Sequence, residues 1–133
     1  MFDKKAPVLT NLITLESISI LRIMLLDKER SVREPIIRTL RYLLTGSTAC
    51  KLMKALKIHI IICRSTELDD SETNKMERFQ SLKFISQWIE ADAVSFPQIF
   101  CRSVISIIQN PEDYMRKASI EIVRQIAVHN PKV

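Results

Sequence analysis

One stretch of the sequence recurs along the chain, and this repetition constrains the fold more than any other feature. The stretch covers residues 31–46 and reads SVREPIIRTLRYLLTG. Thirteen of its positions align without gaps with residues 77–89 and again with 115–127. The equivalent positions that the alignment brings together are Arg33, Arg78 and Arg116; Ile37, Leu82 and Ile120; Leu40, Ile85 and Val123; Leu43, Trp88 and Ile126. The repeat length is therefore about 40 residues, within the range of helical repeat proteins.

Within each copy the apolar residues are spaced as on one face of a helix. In the first copy these residues are Val32, Ile36, Ile37, Leu40, Leu43 and Leu44. Residues three and four apart share a side of a helix, so each copy predicts an amphipathic helix. A chain of 133 residues with one glycine offers little material for β-turns. The sequence predicts an all-α fold: a HEAT/armadillo-like α-solenoid of about three helical-hairpin repeats.

The spacing of apolar residues and start signals predicts about seven helices in one domain, 1–133. The repeats are expected at roughly 7–46, 47–91 and 92–133. The helical segments are predicted at 7–26, 31–46, 48–56, 57–67, 73–91, 96–109 and 111–130. Pro7 and Pro111 suit first helical positions, and Asn110 is a good cap before Pro111. Asp70 or Ser71 is expected to cap the helix over 73–91.

Pro35 creates a conflict at the start of the recurring helix. Ser31 and Glu34 form a capping-box pattern, and Gly46 suits the helix stop. Pro35 would then be the fourth helical residue, where it cannot donate a backbone hydrogen bond. Either the helix kinks there or it starts at Pro35, and the late start is favoured because proline also disfavours helical geometry at Glu34.

Composition narrows the class of protein. The formal net charge of +5 and the pI near 9.3 allow acidic partners without requiring them. Cys50, Cys63 and Cys101 form no C-x-x-C pair, which disfavours a zinc site or a disulfide framework and favours a reducing, cytoplasmic location. No apolar run approaches the roughly 20 residues that a membrane span needs.

Five landmarks occur in the order and spacing of one known family. They are LRYL at 40–43, LKI at 56–58, MER at 76–78 continuing to LK at 82–83, SFP at 95–97, and the Arg116 helix that closes on NP at 130–131. In these the chain resembles the N-terminal region of the Rictor family, which includes the Pianissimo proteins. The resemblance implies a scaffold role in assembling target of rapamycin complex two, with contacts to the TOR kinase and its other subunits and signalling to AGC-family kinases.

The chain departs from the family pattern in two respects. Pro35 stands where the family usually has a small residue other than proline, which leaves the start of that helix open. Family members are also very long, so this chain is expected to be a fragment that aggregates or dimerises through the apolar side of its last hairpin. No partner-binding residue transfers from the family, because the matched positions are mostly core.

Two sets of basic residues are candidate sites. Arg33, Arg78 and Arg116 could grip an acidic partner, but the favoured interpretation is that each bonds acids or carbonyls at the ends of neighbouring helices. The other set is the possible partner-binding basic face, which comprises Lys51, Lys54 and Lys57 at intervals of three. A solvated helix face is the commoner meaning of such a row, and no nucleic-acid motif accompanies it.

The remaining chemistry argues against an enzyme. His59 and His129 lie far apart and lack acidic companions at metal spacing. A nucleophile needs a base within hydrogen-bond reach, and a single glycine cannot form a phosphate-binding loop. We therefore expect a non-catalytic protein-interaction module without cofactor, metal, small-molecule substrate or membrane span. The alternative is a stand-alone basic helical module that binds nucleic acid or anionic lipid.

Overall fold

The structure is a computed structural model that describes residues 13–129. Within this range it contains seven α-helices and no strand, which confirms the all-helical prediction. The helices are α1 (Leu15–Leu25), α2 (Arg30–Leu43), α3 (Ser47–Ala55), α4 (Ile58–Thr66), α5 (Lys75–Asp92), α6 (Ile99–Ile107) and α7 (Asp113–His129), with a 3₁₀ turn at Glu72–Asn74. The expected start at Pro7 and the expected end at Asn130 and Pro131 lie outside the described residues.

Helix α5 lies at the centre of the molecule. It packs against α2, α3, α4 and α7. A helix with neighbours on several sides is buried over most of its circumference, and Leu82, Phe84, Ile85 and Trp88 of α5 have no exposed surface. Trp88 makes edge-on ring contacts with Phe84 and Phe100, at centroid distances of 5.9 and 5.8 Å.

The other helices are arranged around α5 in two rows. The three helices that carry the recurring stretch form one row, because α2 packs on α5 and α5 packs on α7. Helices α4 and α6 contact each other and form a second row beside it, with α1 packed on α2. Consecutive helices pair as α1 with α2, α4 with α5, and α6 with α7.

Helix α2 begins at Arg30, so the favoured late start at Pro35 is wrong. Glu29 is the N-cap residue without a side-chain cap, so the capping box at Ser31 and Glu34 is also wrong. The proline lies inside the helix with its ring exposed, while Ile36 and Ile37 beside it are buried. Burial of this apolar face offsets the one backbone hydrogen bond that proline removes.

Gly46 does not end α2, which stops at Leu43. It is instead the N-cap residue of α3, in an extended conformation with φ 176°. The continuous helix over 7–26 is also wrong, because Thr14 is extended and its hydroxyl accepts a hydrogen bond from the Ser17 amide at 3.1 Å. This cap starts α1 at Leu15.

Two corners use an Asx turn where a simple helix cap was expected. Asp69 Oδ1 accepts from the Ser71 amide at 3.0 Å, and the 3₁₀ turn then delays α5 to Lys75. The N-cap residue of α5 is therefore Asn74 rather than Asp70 or Ser71, and Ser71 is the N-cap residue of the 3₁₀ turn without a capping hydrogen bond from its side chain. Asn110 Oδ1 accepts from the Glu112 amide at 2.8 Å, and α7 starts at Asp113 rather than at Pro111. Short polar side chains favour such turns over caps when the backbone bends before the helix.

Equivalent positions of the recurring helices differ in burial. Leu40 and Ile85 have no exposed surface, whereas Val123 is 41% exposed. Ile37 and Leu82 are likewise fully buried, while Ile120 is 58% exposed. The apolar face that the recurring pattern predicts is thus buried on α2 and α5 and partly exposed on α7, against which α5 and α6 pack within residues 13–129.

Candidate interaction surfaces

Arg33 joins two neighbouring helices through a carboxylate that is almost fully buried. Its Nε and Nη2 atoms donate to the two carboxylate oxygens of Glu77 at 3.0 and 2.9 Å. Its Nη1 atom donates to the backbone carbonyls of Asp27 and Lys28, in the corner before α2. The pKa of the guanidinium is raised, chiefly by its hydrogen bonds to Glu77. All three donor atoms are therefore engaged within the chain.

Arg78 occupies the equivalent position on α5 and also bonds the corner before its own helix. Its Nε donates to the Thr66 carbonyl at 3.3 Å, and its Nη1 is paired with Asp70 Oδ1. The same Asp70 oxygen accepts from Asn110 Nδ2 at 3.0 Å, which brings in the corner before α7. The side chain is 8% exposed, so little of it faces solvent.

Arg116 repeats this arrangement on α7. Its Nη1 donates to the carbonyls of Asn110 and Pro111, both at 2.9 Å, and its Nη2 donates to Asp113. Arg33 and Arg116 thus donate to backbone carbonyls in the corner before their own helix, and Arg78 donates to the carbonyl of the last residue of α4. This geometry is the one expected of arginines that hold the corners between helices. Their structural role stays a prediction that stability measurements test.

The three lysines of the basic face are exposed, but they do not form one helical row. Lys51 and Lys54 lie on α3, whereas Lys57 lies in the α3–α4 connection with φ 60°. It is the one non-glycine residue with a positive φ between residues 13 and 129. Lys54 Nζ donates to the Ser95 carbonyl at 3.3 Å. Helix α3 therefore presents two of the lysines and the left-handed connection presents the third.

His59 and the cysteines lie in surroundings that do not favour reactivity. Burial, together with the charges of Lys54 and Lys57, lowers the pKa of His59, and its Nδ1 atom is buried without a hydrogen-bond partner. Cys50 and Cys63 are buried free thiols, and burial raises the pKa of Cys50 to about 12. Burial also raises the pKa of Cys63 and Cys101. Thiols of raised pKa are weak nucleophiles.

One groove that sequence reasoning missed lies between the end of α2 and the middle of α5. Its volume is about 460 Å³, and its polar lining residues are Arg41, Tyr42 and Thr45 from the end of α2 and Lys83, Ser86 and Gln87 from α5. These residues are about 40 positions apart in sequence and meet only because the two helices pack together. The lining residues from α2 and those from α5 lie in successive copies of the recurring stretch. This repetition was the signal in the sequence that could have revealed the groove.

Two kinds of site are absent from the described part of the chain. No group of three or more His, Cys, Asp or Glu residues between 13 and 129 could hold a metal ion. No helix in the same range is long and apolar enough to cross a membrane.

These features define an all-α protein of stacked helices whose recurring arginines bond the corners between them. The family model described as "Rapamycin-insensitive companion of mTOR, N-term" matches residues 1–133. The chain therefore belongs to the Rictor N-terminal family, which confirms the resemblance seen in the sequence.

Individual relatives agree with this assignment. The chain is 32% identical over 116 residues to the rapamycin-insensitive companion of mTOR from Homo sapiens, and the match covers 85% of this chain and 7% of the human protein. It is also 32% identical over 104 residues to protein pianissimo A from Dictyostelium discoideum, covering 78% of this chain and 9% of that protein. The chain thus spans less than a tenth of the length of these relatives. No solved structure gives a significant match.

Proposed function

We propose that this chain is a non-catalytic scaffold module that takes part in assembling target of rapamycin complex two and in its signalling to AGC-family kinases. Membership of the Rictor N-terminal family carries the proposal. The human relative is named as a companion of mTOR, which makes the TOR kinase the first partner to test in the cytoplasm. The buried, weakly nucleophilic thiols and the engaged arginines are consistent with a binding role.

The proposed architecture is a HEAT/armadillo-like solenoid with repeats at 7–46, 47–91 and 92–133. The graded burial of equivalent positions supports it. Leu40 and Ile85, on helices that have a following helix in the row, have no exposed surface, whereas Val123, on the last described helix, is 41% exposed. Such a gradient is expected when each repeat buries the apolar face of the one before it.

Within this scaffold, the basic face of Lys51, Lys54 and Lys57 is a proposed contact for an acidic surface of a partner. The side chains of Lys51 and Lys57 make no hydrogen bond or ion pair with any residue between 13 and 129, and all three lysines are exposed. Exposed charges of this kind act mainly on association rate and specificity. The face is thus available for docking without disturbing the helical core.

Co-purification of the TOR kinase with the tagged chain tests the proposal. The charge-reversed variant Lys51→Glu, Lys54→Glu, Lys57→Glu is compared with the control Lys28→Glu, Arg30→Glu, Arg102→Glu, which changes net charge equally at other exposed positions. We expect the wild type and the control to retain the kinase and the first variant to lose most of it.

Three other results are informative. Equal retention by both variants would keep the scaffold role and remove the basic face from it. Failure of every form to retain the kinase would contradict the scaffold role. Tight, steeply salt-dependent binding to nucleic acid or anionic vesicles in the same preparation would favour the alternative function instead.

A further inference from the structure

We propose that the groove between α2 and α5 binds a phosphorylated serine or threonine side chain of a protein partner. The inference rests on the proposed scaffold role and names the chemistry that one of its surfaces recognises. We call this groove the Arg41–Lys83 groove. Its polar lining residues are Arg41, Tyr42, Thr45, Lys83, Ser86 and Gln87.

The two cations of the groove have no anionic partner in the described chain. The Arg41 guanidinium lies 5.2 Å from the ring centroid of Tyr42, and Lys83 Nζ lies 5.1 Å from that of Phe79. Neither group forms an ion pair with any residue between 13 and 129, and no acidic residue lines the groove. Two cationic residues without an ion pair thus line one recess.

Glu121, an acid that senses the charge of Lys83, is already engaged. The charge of Lys83 contributes to lowering the pKa of Glu121, but the hydrogen bonds of Arg124 are the larger cause. Both carboxylate oxygens of Glu121 accept from Arg124, at 2.9 and 2.5 Å. Lys83 is therefore close enough to Glu121 for their charges to interact, but the carboxylate of Glu121 accepts its hydrogen bonds from Arg124.

The repeat provides an internal comparison. One repeat along the row, the position of Arg41 becomes Ser86 on α5 and the position of Lys83 becomes Glu121 on α7. The position of Arg41 two repeats along is Arg124, which pairs with Glu121 of its own helix. The space between α5 and α7 is also crossed by hydrogen bonds from Ser86 to Gln125 at 2.8 Å and from Gln125 to Glu90 at 2.6 Å.

The two equivalent spaces therefore differ in one respect that matters for ligands. The space between α5 and α7 is neutralised and bridged by its own side chains, whereas the Arg41–Lys83 groove is open and carries two unpaired positive charges. A ligand with two negative charges would complete the groove.

A phosphate monoester has the matching charge and geometry. It carries close to two negative charges at neutral pH and three acceptor oxygens. Arg41 can donate two parallel hydrogen bonds and Lys83 adds a point charge. The hydroxyls of Tyr42 and Thr45 line the same recess, and the Gln87 amide has a second N–H besides the one that donates to the Leu44 carbonyl at 2.9 Å.

The carbonyls at the end of α2 do not oppose such a ligand strongly. The C-terminus of a helix carries a partial negative charge of about half a unit. Here the Arg41 and Leu43 carbonyls accept from the Leu44 and Thr45 amides, and the Leu44 carbonyl accepts from Gln87. The two full positive charges of Arg41 and Lys83 outweigh the partial negative charge that remains at this helix end.

The shape of the groove favours a protein ligand over a membrane. A recess of about 460 Å³ between two helices accepts one side chain with its flanking backbone. A lipid surface is better met by protruding lysines such as Lys51 and Lys54, which lie on a different helix. Recognition of a phosphorylated side chain by clustered cations is a recurrent mode of peptide binding.

The test is an NMR titration of the ¹⁵N-labelled 133-residue chain with a degenerate peptide library centred on phosphoserine. The matching serine library, inorganic phosphate, and vesicles of phosphatidylcholine with phosphatidylinositol 4-phosphate form the other arms. We expect the phosphoserine library alone to shift the amide signals of Tyr42, Thr45, Lys83 and Gln87 at micromolar to millimolar concentration.

Variants then test the two cations. Arg41→Gln and Lys83→Gln should each weaken phosphopeptide binding about tenfold, the effect of losing one charge-assisted contact. Arg124→Gln removes the same charge at the repeat-equivalent position of Arg41 and should leave binding unchanged. The folds of all three variants are compared by their amide spectra, and the wild-type shift map locates the site without any variant.

Several outcomes would overturn the proposal. One is that Arg124→Gln weakens binding as much as Arg41→Gln does, and another is that inorganic phosphate binds as well as the phosphopeptide. The others are that only the vesicles cause a response, or that no arm shifts the signals of the groove. Because kinase co-purification is measured separately, the groove can fail while the scaffold role stands. Phosphopeptide binding without kinase co-purification would keep the groove and contradict the scaffold role.

Discussion

Glu77 of α5 holds both of its carboxylate oxygens against Arg33 of α2, at 2.9 Å from Nη2 to Oε1 and 3.0 Å from Nε to Oε2. The side chain of Glu77 is 1% exposed, and its Oε2 also accepts from Ser65 Oγ of α4 at 3.0 Å. A carboxylate at the centre of the fold is thus satisfied by the two helices on either side. This network ties three helices together by directional bonds.

Replacing Arg33 with methionine should lower the free energy of unfolding by about 3–5 kcal/mol, because it leaves the buried charge of Glu77 without its partner. Urea denaturation followed by circular dichroism measures the loss. The double variant Arg33→Met, Glu77→Leu should recover most of it, since no buried charge then remains.

The control for this prediction is Arg116→Met at the equivalent position of α7. Its partner Asp113 is largely exposed, so the loss should be no more than about 1 kcal/mol. Equal losses at the two arginines would contradict the special place of the Arg33–Glu77 pair.

Sequence reasoning identified the recurring helices and their arginines, but not their partners. The spacing of Ile36, Ile37 and Leu40 specifies a face within one helix, and that face is buried as predicted. It does not specify which helix lies opposite. Glu77 stands beside Arg78 in the sequence and resembles a surface acid, yet its partner is Arg33 on another helix, which only tertiary packing brings near.

The helix starts were the least predictable feature for the same reason. A capping box is a local signal worth about 1 kcal/mol, whereas the burial of a whole apolar face contributes several times more. At α2 the burial of the apolar face prevails, and the helix extends back to Arg30 through Pro35. The Arg41–Lys83 groove escaped prediction because each cation alone looks like a solvated side chain, and only their convergence without an acid is informative.

Pro35→Ala should raise the free energy of unfolding by about 1–3 kcal/mol. Alanine restores a backbone N–H that can donate to the Ser31 carbonyl, and it removes the clash of the proline ring with the preceding turn. The Thr39 hydroxyl, which donates to the carbonyl of residue 35 at 3.0 Å, is unaffected. Thermal and urea denaturation measure the change.

Pro97→Ala serves as the comparison, because Pro97 lies in the corner before α6 rather than inside a helix. Pro97 is buried, so the substitution removes packed ring atoms as well as increasing the freedom of the unfolded chain, and it should lower stability. A loss of stability from Pro35→Ala would show that the helix needs the proline where it stands.

His59 should make the fold less stable as the pH falls below about 6.5. Its pKa is lowered in the folded chain, mainly by burial and then by the charges of Lys54 and Lys57. The unfolded chain, with a pKa near 6.5, therefore takes up a proton that the folded chain resists. Stability is unaffected by this group above that pH and declines as the pH falls from about 6.5 toward the lowered folded value.

The measurement is the urea midpoint between about pH 7.5 and pH 5.5, a range that brackets the ordinary histidine pKa. Asp69, Asp113 and Glu121 have lowered pKa values, so their protonation changes stability at a more acidic pH than this range. His59→Gln should flatten the dependence. An unchanged slope in His59→Gln would remove the histidine from this role.

The apolar positions exposed on α7 should make the isolated chain self-associate. Ile120 and Val123 are 58% and 41% exposed, while their equivalents on α2 and α5 are fully buried. Exposed apolar side chains at interface spacing favour association with any similar face. Ile120→Glu with Val123→Glu should therefore shift sedimentation velocity profiles toward monomer and leave the unfolding midpoint nearly unchanged. Ser31→Glu with Thr48→Glu adds the same charge at exposed polar positions and should leave self-association as it is in the wild type. A wild-type chain that stays monomeric at high concentration would show that this face of α7 needs no cover, and the solenoid arrangement would lose its main support.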